Sequence, residues 1–174
     1  MSGVDGLHMH ESDSDARRRE RRDWTAELLD LEAGRIGVPI LDREGIRALL
    51  VTKPRVAIIG ASPNPARPSH GVLVDLRELG YDVVPVNPTA DEVAGLRCYP
   101  TLPDAVEATG PVDIVDVFRL PPACPEHARE AAQVGAHCLW LQLGIASREA
   151  GRIAHEGGLA VVMNRCLAVE AARL

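Results

Sequence analysis

Aromatic residues make up only 3% of the 174-residue chain: one phenylalanine, two tyrosines and two tryptophans. That is too few for a platform on which single-stranded nucleic acid stacks its bases. No run approaches the roughly 18 apolar residues of a membrane span. The first residues are polar, unlike the apolar core of a signal peptide. Basic residues are outnumbered, 19 against 25 acidic ones, giving a net charge of −6. This counts against a general nucleic-acid binder, which carries a basic stripe. The four cysteines (Cys98, Cys124, Cys138 and Cys166) form no CxxC pair and have no nearby histidine pair. That spacing argues against a structural metal site and for a reducing compartment. These absences predict a cytoplasmic protein with neither nucleic acid nor membrane as partner. What is present, 46% hydrophobic and 25% charged residues, is normal for a globular chain with a core.

Residues 1–40 differ from the rest. Met1 to Asp23 has almost no apolar content, with acids followed by Arg17-Arg18-Arg19-Glu20-Arg21-Arg22. Such a stretch buries too little surface to offset its ordering entropy, which predicts mobility. Acids flank the arginines and no aromatic interleaves them, so a solvated charged face is favoured over a nucleic-acid or membrane patch. Trp24, Leu28, Leu29 and Leu31 predict a short amphipathic helix docked on the body. Gly34, Gly37 and Pro39 read as a linker, placing the domain at residues 41–174.

From there strand and helix alternate. Arg55 to Gly60, Tyr81 to Val86, Val112 to Phe118, Cys138 to Leu143 and Leu159 to Met163 are short apolar runs of the buried parallel kind. Between them lie helical stretches near 69–79, 103–108, 122–134 and 147–156, preceded by one at 42–50 and followed by one at 168–173. The pattern predicts a Rossmann-like α/β fold: a doubly wound five-stranded parallel sheet with helices on both faces, in order 3-2-1-4-5. Such sheets bind ligands beyond the carboxyl ends of their strands, where the strand order reverses.

At the first of those ends Gly60 stands where a dinucleotide fold has the first glycine of G-x-G-x-x-G. Ser62 and Pro65 occupy the other two glycine positions. The acid that would take a ribose hydroxyl of NAD is replaced by Asn87-Pro88, and no arginine stands there for NADP. The loop still suits a diphosphate through Ser62, Asn64, free backbone N–H groups, a helix start near Ser69 and the cation Arg67.

Five segments now carry a resemblance: VAIIGASPNPARPSHGV (Val56 to Val72), VVPVNP (Val83 to Pro88), VDIVDVFR (Val112 to Arg119), LWLQLG (Leu139 to Gly144) and GLAVVMNRC (Gly158 to Cys166). Together they resemble the small stand-alone CoA-binding proteins, which are similar to the N-terminal CoA-binding domain of the succinyl-CoA synthetase alpha subunit. The resemblance covers roughly residues 41–174. It implies coenzyme A or an acyl-CoA as ligand. Gly60, Ala61, Ser62 and Asn64 would face the diphosphate, with Val86, Asn87 and Pro88 along the adenosine portion. Val117, Phe118 and Arg119 would form a neighbouring wall, and Gln142, Leu143 and Gly144 the floor. The synthetase subunit has a lysine just after the segment matching Asn87-Pro88, where this chain has Thr89-Ala90. Arg67 or Arg97 would substitute for it.

No residue set forms a catalytic constellation. His70, His127 and His155 fall in helical stretches without a triad partner. Asp113 and Asp116, three apart on a strand, point to opposite faces, which favours structural roles such as bonding loop N–H groups. Cys166, next to Arg165 at the ligand edge, is either a reactive thiol or a small packing residue. The reading is therefore a non-catalytic binding or regulatory module, working as a homo-oligomer or beside a partner enzyme. The alternatives are an NAD(P)-linked oxidoreductase and a CoA-dependent transferase or ligase subunit that needs a partner chain.

Overall fold

In chain order the elements are α1 (Asp13–Glu32), α2 (Arg43–Val51), β1 (Val56–Ile59), α3 (Pro68–Glu78), β2 (Val83–Val86), β3 (Glu92–Val93), β4 (Leu96–Arg97), α4 (Leu102–Thr109), β5 (Ile114–Val117), α5 (Cys124–Gln133), β6 (Cys138–Leu141), α6 (Arg148–Glu156), β7 (Ala160–Val162) and α7 (Leu167–Ala171). They come from a computed structural model that describes residues 13–174; the mobility expected for residues 1–12 lies outside them.

Every residue of β1, β2, β5 and β6 is buried. Helices covering both faces of a parallel sheet require this, and it explains why these strands read as uninterrupted apolar runs. On one face Ala57, Ile59, Val115, Val117, Leu139 and Leu141 pack with the small residues Ala128, Ala131, Ala150 and Ala154 of α5 and α6. On the other, Val56, Ile58, Ile114, Trp140 and Val162 meet Leu50, Leu73, Leu76 and Leu167 of α2, α3 and α7.

All five long strands are parallel, in the order β2-β1-β5-β6-β7. Numbered among themselves this is 2-1-3-4-5, not the predicted 3-2-1-4-5. The chain after β4 accounts for the difference. Asn87 N donates to the Tyr99 carbonyl at 2.8 Å, and Tyr99 N donates to the Pro85 carbonyl at 3.1 Å. The free edge of β2 is thus occupied, and the third long strand pairs on the other side of β1. The strand order consequently reverses between β1 and β5, and a ligand crevice belongs over those two ends.

The N-terminal helix is longer than predicted, and residues 13–23, expected to be mobile, form its first half. Its second half is the docked part, since Leu28 and Leu31 pack against the core shared by α5 and α6. Leu29, predicted to dock with them, is 56% exposed on the outer face. Arg148 N, at the start of α6, donates to Glu27 Oε2 at 2.9 Å, and the Arg148 guanidinium donates to Asp30 Oδ2 at 2.9 Å. An acid at a helix N-terminus meets the positive end of the dipole. Once that half is anchored, each further residue adds one hydrogen bond without a new nucleation cost, so the polar half follows. No described helix is long and apolar enough to cross a membrane.

Candidate functional site

The loop after β1 is built by its own polar groups. Gly60 has φ +81°, and a Cβ there would lie 3.1 Å from both the Phe118 carbonyl oxygen and Arg119 Cδ. Only glycine takes that conformation without strain and lets the Arg119 stem lie across the turn. Ser62 Oγ accepts from Asn64 N at 3.2 Å, and Asn64 Oδ1 accepts from Ala66 N at 2.9 Å. His70 Nδ1 is 2.9 Å from the Ser62 carbonyl oxygen. A carbonyl only accepts, so Nδ1 carries the hydrogen and His70 pins the loop from α3. Asn87 Nδ2 donates to the Ala61 carbonyl at 2.6 Å, while its Oδ1 accepts from Thr89 N and Thr89 Oγ1, each at 2.9 Å. The Asn87 side chain therefore ties the β1 and β2 loops together.

Helix α3 begins at Pro68 with Arg67 as its N-cap residue and no side-chain cap. Pro68 has no N–H, and the His70 and Gly71 N–H groups already donate to the Arg67 carbonyl at 3.0 and 3.5 Å; the Ser69 N–H and the dipole are left to whatever lies in front of the helix. What lies there is a cavity of about 700 Å³, within the range of small-molecule sites. Its lining is polar at Gly60, Ser62, Arg67, Ser69, Asn87 and Gln142, and apolar at Trp24, Leu120, Pro121, Leu143 and Ile145. Arg67 and Arg119 both line it, and among the described residues neither forms an ion pair with a carboxylate. Two guanidinium groups and an uncapped helix start make a site for an anion.

Under the floor lies a buried acid. Asp116 is 0% exposed and Gln142 3%, and Gln142 Nε2 donates to both Asp116 oxygens at 2.9 and 2.8 Å. Loss of solvation raises the Asp116 pKa well above its ordinary 3.8, and the Gln142 bond offsets this only in part. Because the folded state holds this proton more tightly than the unfolded one, stability falls as pH rises above 3.8 toward the folded-state value. The slope approaches about 1.4 kcal/mol per pH unit for one group. Asp116→Asn should remove that slope and keep a hydrogen-bonding partner for Gln142. Urea midpoints at a series of pH values check this: the difference between variant and wild type should grow with pH, and a constant difference would contradict the buried acid.

Gly60, Ser62, Arg67, Asn87, Phe118, Arg119, Gln142, Leu143 and Gly144 are thus brought together as predicted from the sequence. Ala61, Val86 and Val117 are not on the lining, since all three are buried in the core. Asn64 and Pro88 are exposed beside the cavity, and Asn64 organises the loop. Arg97 lies on the hairpin, its guanidinium 5.2 Å from the Tyr99 ring centre. Asp113, at the amino ends of the strands and so away from the cavity, accepts from Arg55 N at 2.8 Å, the structural role expected of it. His127 is paired with Glu130 at 2.9 Å. Burial pushes the Cys124 and Cys138 thiols up to about 12; Cys166 is partly exposed at the cavity wall. Sequence reasoning missed Trp24, Leu120, Pro121 and Ile145 as lining residues. Leu120-Pro121 directly follows the quoted VDVFR, and that adjacency was the available signal.

Residues 54–172 match the family model described as "CoA binding domain". The chain is 37% identical over 124 residues to "Uncharacterized protein YneT" of Bacillus subtilis, covering 71% of this chain and 90% of that one. It is 34% identical over 82 residues to "Acetate--CoA ligase [ADP-forming] II" of Archaeoglobus fulgidus, 46% of this chain and 12% of the ligase. Among solved structures, a "hypothetical protein from Pyrococcus horikoshii OT3" superposes with a TM-score of 0.72 at 40% identity, covering 77% of this chain and 92% of that one.

Proposed function

Because this chain belongs to the family of CoA binding domains, we propose that it binds coenzyme A or an acyl-CoA in the cavity over β1, β2, β5 and β6, as a binding or regulatory module. The diphosphate lies against the Ser62–Arg67 loop and the start of α3, between the Arg67 and Arg119 guanidinium groups. The adenosine portion lies over β2, beside Asn87. The observation that carries this reading is the pair of arginines lining the cavity, neither ion-paired with a carboxylate among the described residues. A carboxylate partner would have to be displaced before a phosphate entered; here the attraction is already available. The residues fit the ligand in a second respect, since Gly60 leaves open the place a Cβ would fill beside Arg119.

The role is set apart from hydride chemistry at the end of β2. A nicotinamide dinucleotide needs a carboxylate there for its ribose, and this chain has Asn87, whose side chain is already bonded to Ala61 and Thr89. CoA should therefore bind at least tenfold more tightly than NAD, a difference of about 1.4 kcal/mol. Isothermal titration with both ligands tests it, and NAD binding as tight as CoA would reverse the assignment. A parallel melting experiment gives an independent measure. A ligand at a hundredfold excess over its dissociation constant stabilises the folded state by about 2.7 kcal/mol.

A further inference from the structure

Away from the phosphate loop the cavity changes character, and its far side is walled by Leu120, Pro121, Leu143 and Ile145 and closed by Trp24. Leu120 and Leu143 are 65% and 70% exposed, a cost in apolar hydration located at the mouth of a site. Trp24 lies outside the matched residues 54–172. It reaches the mouth because α1 is fixed there. Leu28 and Leu31 pack on the core, and Glu27 and Asp30 bond Arg148. Trp24 is one turn before Leu28 on the same helix face, so the docking that seats the leucines carries the indole to the cavity.

The sheet order decides which end of a ligand arrives there. From the β1 loop, Asn87 and β2 lie to one side, while Phe118 to Pro121 and Gln142 to Ile145, after β5 and β6, lie to the other. A ligand with phosphates at the β1 loop and adenosine over β2 runs its remaining arm, the thiol-bearing one, toward Trp24. A free thiol end gives these side chains little to cover. An alkyl chain on it gives them apolar surface to bury, and the flat indole supplies large contact area with few rotatable bonds.

We propose that Trp24, Leu120 and Leu143 form an acyl pocket, and that α1 makes the protein selective for CoA thioesters with an apolar acyl chain over free CoA. This rests on the reading of the cavity as a CoA site. The test is isothermal titration of the full chain with CoA, acetyl-CoA and octanoyl-CoA. Octanoyl-CoA should bind at least about tenfold more tightly than CoA, 1.4 kcal/mol in free energy, with acetyl-CoA between them. Trp24→Ala should reduce that preference below about threefold, read as the ratio of the CoA and octanoyl-CoA dissociation constants measured on the same variant. Trp24→Phe, which keeps an apolar ring, should retain most of it. Leu143→Ala, on an exposed loop, carries the same test if the Trp24→Ala melting curve shows a disrupted fold. Equal wild-type affinities for CoA and octanoyl-CoA would overturn the acyl pocket alone and leave the CoA site standing. A preference unchanged in folded Trp24→Ala, or an equal loss for both ligands, would also overturn it. Failure of CoA and both esters to bind would overturn the site itself.

Discussion

Ser62→Glu is expected to weaken CoA binding by 2–4 kcal/mol, or roughly 30- to 1000-fold, while the fold survives. Ser62 lines the cavity beside Arg67, and its hydroxyl accepts from Asn64 N. A carboxylate in its place faces phosphate oxygens of the same sign. It also offers Arg67 and Arg119 an internal partner, so the attraction that the ligand would use is spent before it arrives. The loop remains attached through the bonds from His70 to the Ser62 carbonyl and from Asn87 to the Ala61 carbonyl, neither of which involves the Ser62 side chain. Loops at strand ends tolerate such a change better than buried strands do. CoA titration beside a ligand-free melting curve for wild type and variant measures both halves of the expectation. An unchanged dissociation constant in a well-folded variant would move the ligand away from this loop.

The strands were legible because each is an uninterrupted apolar run, and a strand buried on both faces has no other way to read. Their order was not legible, because it turns on residues 87–101. There β3 and β4 are two residues each, joined by Ala94 and Gly95 with φ of 50° and 78°. A two-residue turn with both φ positive normally announces itself as Asn-Gly or Asp-Gly. Ala94-Gly95 gives no such signal, so the segment that covers the edge of β2 reads as plain loop.

The site divides in the same way. Gly60, Ser62, Arg67 and Gln142 follow from the rule that ligands sit at carboxyl ends of strands, and they line the cavity. Ala61, Val86 and Val117 belong to the segments that carry the resemblance, but their side chains pack into the two cores. Alternation along an extended chain sends neighbours to opposite sides, so a motif read as a block includes residues that face away. Trp24 was legible as a docking residue and illegible as a lining one. Its place on the cavity lining depends on how α1 docks, through the packing of Leu28 and Leu31 and the contacts of Glu27 and Asp30 with Arg148. No local pattern encodes a contact across that many residues.

Trp140→Ala should cost about 3–5 kcal/mol of folding stability, a large share of the 5–15 kcal/mol that a domain of this size commonly has. Trp140 is 0% exposed in the middle of β6, between Asp116 on β5 and Val162 on β7. It belongs to the core cluster that joins the sheet to α2, α3 and α7. Truncation leaves a cavity that strands fixed on both sides cannot close. The indole has a second duty: Nε1 donates to the Arg165 carbonyl at 2.7 Å, which holds the segment leading to Cys166 at the cavity wall. Trp140→Phe separates the two. It keeps most of the ring volume and strands the Arg165 carbonyl, so it should cost only about 1–3 kcal/mol. Its CoA affinity should nevertheless fall, because the wall beyond β7 has lost its tether. Urea unfolding of both variants, with CoA titration of the phenylalanine variant, distinguishes packing from tethering. If Trp140→Phe binds CoA as wild type does, the indole hydrogen bond serves the core and contributes nothing to the site.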